Sequence, residues 1–424
     1  MHEIKKKVAV IGLGRVGLPL SLFLETLGFQ VIGIDKDLEL LSKIRSKSMP
    51  FHENGCDELL EKSNLTLNNI VGSAAVADHI IITVGTPLSP HIEADLSNIR
   101  TVLRELIPVL HPGQNIILRS TVAPQTTLFL KQYIEMNTAI KIGRDIGLSF
   151  CPERLAENHA LEELRKLPQI IGSDDPFSRE SCKELFDCFG VTVLFTSTVA
   201  AELVKLFNNT ARYVEFAMAN QFAIIADQYK SNIHELIEMA NIEYPRGQIH
   251  SPGFTAGSCL RKDFGFISEK TSAADLLLAA WKVNEYMPFH LVDALNRREQ
   301  VYGKNVAVLG YTFKKNTDDI RDSLVPKLIH YIERCVPKSI KICEPNLKEV
   351  ELQQYPNLSL EETLRNSDIV FIAVNHDQFE SRKILSYSKA GTWFVDLWNC
   401  LKCQQVIFQI QNVVTSTSNI NKSH

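Results

Sequence analysis

The chain has 424 residues, with 45 Lys and Arg against 49 Asp and Glu, 45% hydrophobic and 22% charged residues. A net charge of −4 is no electrostatic footprint for nucleic acid or an anionic membrane, so a small molecule is the expected partner. The length exceeds what one hydrophobic core fills and implies two or three domains. No run of about 18 uncharged apolar residues offers a membrane span, and no apolar leader with a cleavage site follows Lys5, Lys6 and Lys7. Nine scattered cysteines, an odd number, suit reduced thiols of a cytoplasm better than a disulfide framework and leave one available as a nucleophile.

In chain order, Val8 to Ile11, Gln30 to Ile34, His79 to Val84 and Asn115 to Leu118 are short β-branched runs between amphipathic stretches. They predict the buried strands of a doubly wound parallel sheet. Gly12, Gly14 and Gly17 form G-x-G-x-x-G directly after the first strand and before the helical Leu18 to Leu27. Glycines there allow a tight turn and bring a pyrophosphate to the helix N-terminus, whose free amides favour an anion. Asp35 ends the next strand, where a carboxylate accepts from ribose hydroxyls and repels a 2′-phosphate, so NAD is favoured over NADP. Lys36, its neighbour, is the cation that opposes this preference.

From about Val199 to Arg298 strand signals fade, and Ala200 to Gln228 reads as one helix rich in alanine, leucine and long side chains. Its apolar face serves either a dimer or an intrachain core. A second set of strands follows at Asn305 to Leu309, Ser339 to Cys343, Asp368 to Val374 and Thr392 to Asp396. The expected fold is therefore α/β: two Rossmann-like doubly wound parallel-sheet domains, 1–198 and 301–410, joined by a central helical connector, 199–300. Residues 411–424 are rich in Ser, Thr, Asn and Lys and are expected to fray.

The connector holds the stretch His250 to Asp263, small and turn-forming residues opening into a helix. Cys259 falls at the loop-to-helix junction. Helix amides and Lys262 would stabilise its thiolate there, and Asp263, at i+4, shares its helical face. Cys400 and Cys403 form a lone Cys-x-x-Cys; without a second pair at zinc spacing, no metal is expected.

Six separated motifs resemble the UDP-glucose/GDP-mannose dehydrogenase family over nearly the whole chain. They are Gly12 to Pro19 (with Val16), Gly85-Thr86-Pro87, Arg119 to Val122, Cys151 to Arg154, Ala201 to Asn209 and Gly257 to Asp263. The resemblance implies that Cys259 is the nucleophile, that Asp263 with Thr121 holds a water for proton transfer, and that Lys205 with Asn209 stabilises an oxyanion at C6. Lys205 and Asn209 are one helical turn apart and present a cation and an amide donor on one face. Glu153 matches the acid that assists thioester hydrolysis. Thr86 and Thr121 join the cofactor site; Gly257 and Lys262 join the substrate site.

Leu309 to Lys315 and Asp318 to Ser323 resemble the family's nucleotide-diphosphate-binding domain, with Lys314, Lys315 and Arg321 as phosphate or sugar contacts. Arg246 resembles an arginine offered to the sugar pocket, in some members by a neighbouring subunit. Two departures stand out: Phe254 to Gly257 where many members have more glycine, and Pro124-Gln125-Thr126 where Pro-Gly-Thr is usual.

Oxidising an alcohol to a carboxylate removes two hydrides, and the second must leave a tetrahedral carbon bearing an oxyanion, which a cysteine thiohemiacetal supplies. The implied activity is thus a cytoplasmic, NAD-dependent oxidation of a UDP-sugar for surface polysaccharide synthesis, by a homo-oligomer. Cys151 to Arg154, Leu161 to Leu164 and Ile170 to Gly172 resemble the N-acetylhexosamine branch; Cys259 to Asp263 keeps the form typical of the glucose branch. A single-hydride dehydrogenase and a noncatalytic nucleotide-binding protein are the rival readings. The second Rossmann half and the intact Cys259 loop count against them.

Overall fold

The computed structural model describes residues 6–88, 94–255, 257–268, 271, 273–348 and 351–410, with backbone alone for 258–261. The expected tail 411–424, Ala256 and the Cys259 side chain lie outside the described residues. Two compact units emerge, Met1–Thr210 with Lys262–Ala274, and Ala211–Arg261 with Asp275–His424.

The first unit is built on strands β1 (Lys7–Ile11), β2 (Gln30–Ile34), β3 (Thr66–Asn68), β4 (His79–Ile82), β5 (Asn115–Leu118), β6 (Gly147–Phe150), β7 (Gln169–Gly172) and β8 (Val193–Thr196). Their order in the sheet is β3-β2-β1-β4-β5-β6-β7-β8. From β3 to β6 every pairing is parallel, as a run of fully buried β-branched strands requires. The sheet is parallel-dominated, as expected; β7 adds one antiparallel pairing to β6, with β8 parallel to β7. Both faces of the sheet are covered. Val8, Val10, Ile81 and Ile117 point into one apolar cluster with Leu18, Leu22 and Phe186, while Ala9, Ile80, Ile82 and Ile116 point into another with Leu103 and Leu130. That alternation is the period of two that a strand imposes.

The second unit has the sheet order β10-β9-β13-β14-β15, from β9 (Asn305–Leu309), β10 (Ser339–Cys343), the pair β11 (Glu351–Leu352) and β12 (Tyr355–Pro356), β13 (Ile369–Ile372), β14 (Trp393–Val395) and β15 (Ile407–Gln409). β9, β10, β13 and β14 run parallel, and β15 adds an antiparallel edge. Helices Ile233–Asn241, Asp275–Asn296 and Val325–Glu333 belong to this unit.

A single helix, Thr198–Gln228, contributes to both units. In the first, Glu202 on this helix is fully buried and accepts from the Gln125 N–H (2.7 Å), the Thr127 N–H (2.8 Å) and the Thr127 hydroxyl (2.6 Å). An acid at the amino end of helix Thr126–Asn137 is favoured by that helix's free amides, so Glu202 pins the turn carrying Thr121 to the turn carrying Lys205. Gln125 sits at φ 73, left-handed backbone that favours glycine. This is the structural content of Gln125 in place of the usual glycine.

Candidate active site

In the first unit, candidate residues follow the carboxyl ends of successive strands: Gly12 after β1, Asp35 after β2, Thr86 after β4, Thr121 after β5 and Glu153 after β6. That edge is where open α/β sheets bind ligands. Gly12 has φ +97, and a Cβ on it would lie 3.0 Å from the Thr83 and Val84 backbone; a Cβ on Gly17 would lie 1.8 Å from the Gly12 carbonyl oxygen. Over Gly14 nothing among the described residues lies within 4 Å of that position. Helix Gly17–Thr26 begins at Val16 without a side-chain cap or an acid in its first turn. Two glycines are demanded by close packing, and the third leaves an open cradle over free amides. That combination fits a pyrophosphate.

The Thr83 hydroxyl, a contributor the sequence reading missed, donates to the Ile11 (3.1 Å) and Gly12 (2.7 Å) carbonyls and ties the loop to β4. Asp35 is half-buried. Its Oδ2 accepts from the Leu13 N–H at 2.7 Å and its Oδ1 from the Asp37 N–H at 3.0 Å, which aims the carboxylate along the loop. Lys36 Nζ lies 3.3 Å from Asn98 Oδ1, so the cation is drawn to a neighbouring amide. Asp35→Ala is expected to lower kcat/KM with NAD about tenfold or more and to narrow the gap to NADP. Initial rates with both cofactors check this, and an unchanged ratio would show that another group sets the preference.

A second group of side chains lies in the same unit. Asp263 is fully buried on helix Ser258–Ser268. Asn209 Nδ2 donates to its Oδ2 at 2.6 Å, and among the described residues its Oδ1 has no hydrogen-bond partner. Burial pushes the Asp263 carboxyl up. The charges of Lys262 and Lys205 and the Asn209 bond pull it back, while Glu153 pushes it further up. Lys205 is itself buried. Lys262 donates to Thr86 Oγ1 at 3.2 Å and lies over the Phe266 ring at 5.2 Å; the Thr86 hydroxyl donates to the Thr121 carbonyl at 2.5 Å. Asp263, Asn209, Lys205, Lys262, Thr86, Thr121 and Glu153 are therefore brought into one neighbourhood of the first unit. Glu153 accepts from the Leu155 N–H. Beneath its loop, buried Arg119 donates to the Cys151 carbonyl at 3.4 Å and to Gln169 Oε1 at 3.3 Å, and stacks on Phe186.

By its backbone, Cys259 is the second residue of helix Ser258–Ser268, one turn before Asp263.

In the second unit, Gly257 has φ +100, donates to the Asp322 carbonyl at 3.3 Å, and a Cβ on it would lie 2.7 Å from the Phe313 ring. This close approach explains the glycine before Ser258. Lys314 lies over Phe313, and Lys315 pairs with Asp377 at 3.5 Å. Arg321 Nη2 is 2.6 Å from Asp319 Oδ2 and its Nε 2.9 Å from Oδ1, so its fork is closed on an acid two residues away. Arg246 is exposed and stacks on Tyr244 at 4.9 Å. Cys400 has its thiol pushed up to about 12 by burial and Asp396, poor conditions for a reactive sulfur.

A glycine loop shaped for a dinucleotide thus shares a sheet edge with a buried acid, amide and lysine that can move a proton from an alcohol, the combination expected of a nicotinamide-dependent dehydrogenase. Comparison with known proteins narrows the class. The chain belongs to the UDP-glucose/GDP-mannose dehydrogenase family, matching its NAD binding domain over residues 6–190, its central domain over 199–286 and its UDP binding domain over 307–403. It is accordingly an NAD-dependent nucleotide-sugar dehydrogenase. A UDP-N-acetyl-D-mannosamine dehydrogenase of Methanococcus vannielii is 32% identical, covering 90% of this chain and 89% of its own length. The structure of the UDP-D-ManNAc dehydrogenase of Pyrococcus horikoshii matches with TM-score 0.83 and 30% identity, over 90% of this chain and 93% of the other. A UDP-glucose dehydrogenase of Pyrobaculum islandicum matches with TM-score 0.81 and 25% identity, over 90% and 92%.

Proposed function

We propose that this enzyme oxidises the C6 primary alcohol of a UDP-N-acetylhexosamine to the uronic acid in two steps, through a thiohemiacetal and then a thioester on Cys259. The observation that carries the reading is the buried Asp263, its Oδ2 held by Asn209 and its buried Oδ1 without a hydrogen-bond partner among the described residues, one turn along the helix from Cys259.

In the first oxidation Asp263, through a water held with Thr121, takes the hydroxyl proton as C6 becomes an aldehyde. Gly12, Gly14, Val16, Gly17, Asp35, Thr86 and Thr121 would hold NAD, which when bound would supply the hydride acceptor for each oxidation. The Cys259 thiolate adds to the aldehyde, and Lys205 with the Asn209 amide stabilises the resulting oxyanion. Loss of the second hydride leaves the thioester. Water attacks it, Glu153 or Asp263 takes the water's proton, and the thiolate departs.

Within the second unit, Lys314, Lys315 and Arg321, with Gly257 and Arg246, would hold the nucleotide sugar, Arg321 after exchange of its Asp319 contact; Lys262, in the first unit, is proposed as a substrate contact from its motif alone. Two NADH per acid are expected from wild-type progress curves. A ratio of one with free aldehyde released would overturn the scheme.

The relatives' names favour the N-acetylhexosamine over glucose. A pocket that satisfies an acetamido group leaves its own polar groups unpaired against a plain hydroxyl, so kcat/KM is expected to be about 100-fold higher for UDP-N-acetylmannosamine or UDP-N-acetylglucosamine than for UDP-glucose. The opposite ranking would assign glucose, as in the Pyrobaculum islandicum enzyme, with the catalytic scheme intact. The product would feed surface polysaccharide synthesis in the cytoplasm; no helix among the described residues is long and apolar enough to cross a membrane. A homodimer is supported by apolar side chains left exposed around helix Ile233–Asn241, namely Ile225, Tyr229, Leu236, Met239 and Ile242, a density that marks a protein interface. Sedimentation as a monomer at micromolar concentration would exclude it.

A further inference from the structure

The second unit repeats the local device of the first and then seals it. In the first unit the Gly12 N–H donates to the Ile34 carbonyl at 2.7 Å and the acid after that strand, Asp35, accepts from the Leu13 N–H. In the second, the Gly310 N–H donates to the Cys343 carbonyl at 2.8 Å, and the acid after that strand, Glu344, accepts from the Tyr311 N–H at 2.7 Å and the Thr312 N–H at 3.1 Å. Asp35 is half-buried and within reach of a ribose. The Glu344 side chain is 0% exposed beneath an equally buried His376, whose Nε2 lies 2.9 Å from Glu344 Oε2. A sealed acid cannot receive a ribose diol, so its role lies in the loop it grips.

Directionality in this network is determined. His376 Nδ1 accepts from the Asn316 N–H at 2.9 Å and faces the Asn346 amide at 3.0 Å. A backbone N–H can only donate, so Nδ1 carries no proton and the ring's hydrogen is on Nε2, directed at Glu344 and at Thr312 Oγ1, 3.3 Å away. The Thr312 hydroxyl in turn donates to the Lys314 carbonyl at 3.0 Å. Burial pushes the Glu344 carboxyl up, but the bonds from His376, Asn346 and Tyr311 hold it below the ordinary range. The backbone of Lys314 and Lys315 is therefore braced on both sides, at Thr312 and at Asn316, by one ion-supported buried network, the kind that rigidifies when fully satisfied.

We propose that Glu344 and His376 are positioning residues for the nucleotide diphosphate: they lock the loop Gly310 to Asn316 so that Lys314 and Lys315 are presented to the phosphates. The inference rests on the reading of this unit as the UDP-binding one and names the groups that shape its site. His376→Ala removes the acceptor for Asn316 and the donor to Glu344. Glu344→Gln retains volume but sets an amide N–H against one of the loop or Asn346 N–H groups.

Both variants of the full-length enzyme are assayed by calorimetric titration with UDP and with NAD, and by steady-state kinetics with the UDP-sugar. The expected result is a Kd for UDP and a KM for the sugar raised about tenfold in His376→Ala, and about threefold or more in Glu344→Gln, with kcat changed less than KM and the Kd for NAD unchanged. General misfolding would instead lower apparent kcat and leave KM in place. A variant that binds NAD normally and binds UDP within twofold of wild type overturns the inference; if His376→Ala does not fold, Glu344→Gln decides by the same criterion. Wild-type enzyme that fails to bind UDP overturns the nucleotide reading and the inference with it.

Discussion

Cys259→Ala is expected to abolish uronic acid formation, with kcat reduced at least about 10⁴-fold, equivalent to ~5.5 kcal/mol of transition-state stabilisation. The size follows from the chemistry. Without a thiolate there is no covalent tetrahedral carbon from which the second hydride can leave, and the remaining groups can only act on an uncaptured aldehyde or its hydrate. Binding is expected to survive, because the glycine loop after β1 and the loop after β9 are each held by their own backbone bonds, Gly12 to Ile34 and Gly310 to Cys343. Quantifying acid by chromatography alongside Kd values for NAD and UDP tests both halves. Acid formed by the alanine variant at more than one-hundredth of the wild-type rate would remove Cys259 from the mechanism.

The second large effect is expected from Asp263→Asn, which keeps shape and removes charge. Proton transfer by a positioned group contributes about 10²–10⁴-fold, so kcat should fall by about 10²–10³ with KM for the sugar little altered. The pH dependence sharpens the test. Burial raises the Asp263 pKa, so in wild type the acid limb of kcat should lie above the ordinary carboxylate range, with activity lost as pH falls through that value; in Asp263→Asn the limb should disappear. For stability the sign runs the other way. A carboxyl whose folded pKa is raised binds more protons folded than unfolded, so its contribution falls as pH rises from the unfolded value through the folded one and stays constant above. The asparagine variant should therefore lose little stability near neutral pH, the lost attraction to Lys205 and Lys262 being offset by the removed cost of a buried charge. An acid limb that persists in the variant would assign it to Glu153 or another group.

Much of this site was legible before any fold was in hand because its chemistry is local. The glycines after β1, Asp35 after β2, Lys205 with Asn209 one turn apart, and Cys259 with Asp263 one turn apart are each short-range patterns whose spacing equals a turn, a strand end or a helical repeat. The buried strands were legible for the same reason: β-branched runs such as Ile80-Ile81-Ile82 and Ile116-Ile117-Leu118 have few conformations that hide them. The later strands of the first sheet were not. β6 carries Gly147 and Ser149, and β8 lies at the edge with Leu194 and Phe195 exposed, so neither shows the continuous apolar run of a central strand. The reversal at β7 depends on sheet pairing that no local window records.

Long-range hydrogen bonding decided the remaining features. Glu202 meets Gln125 and Thr127 across 77 and 75 residues of sequence, and Glu344 meets His376 across 32; a carboxylate's partner at such a separation is set by packing of whole elements, not by its neighbours in the chain. The state of Asp263 belongs here as well. Its place in a motif could be read from sequence, but its raised pKa comes from burial, which outweighs the opposing charges of Lys262 and Lys205, and desolvation exists only once the surrounding atoms have displaced water.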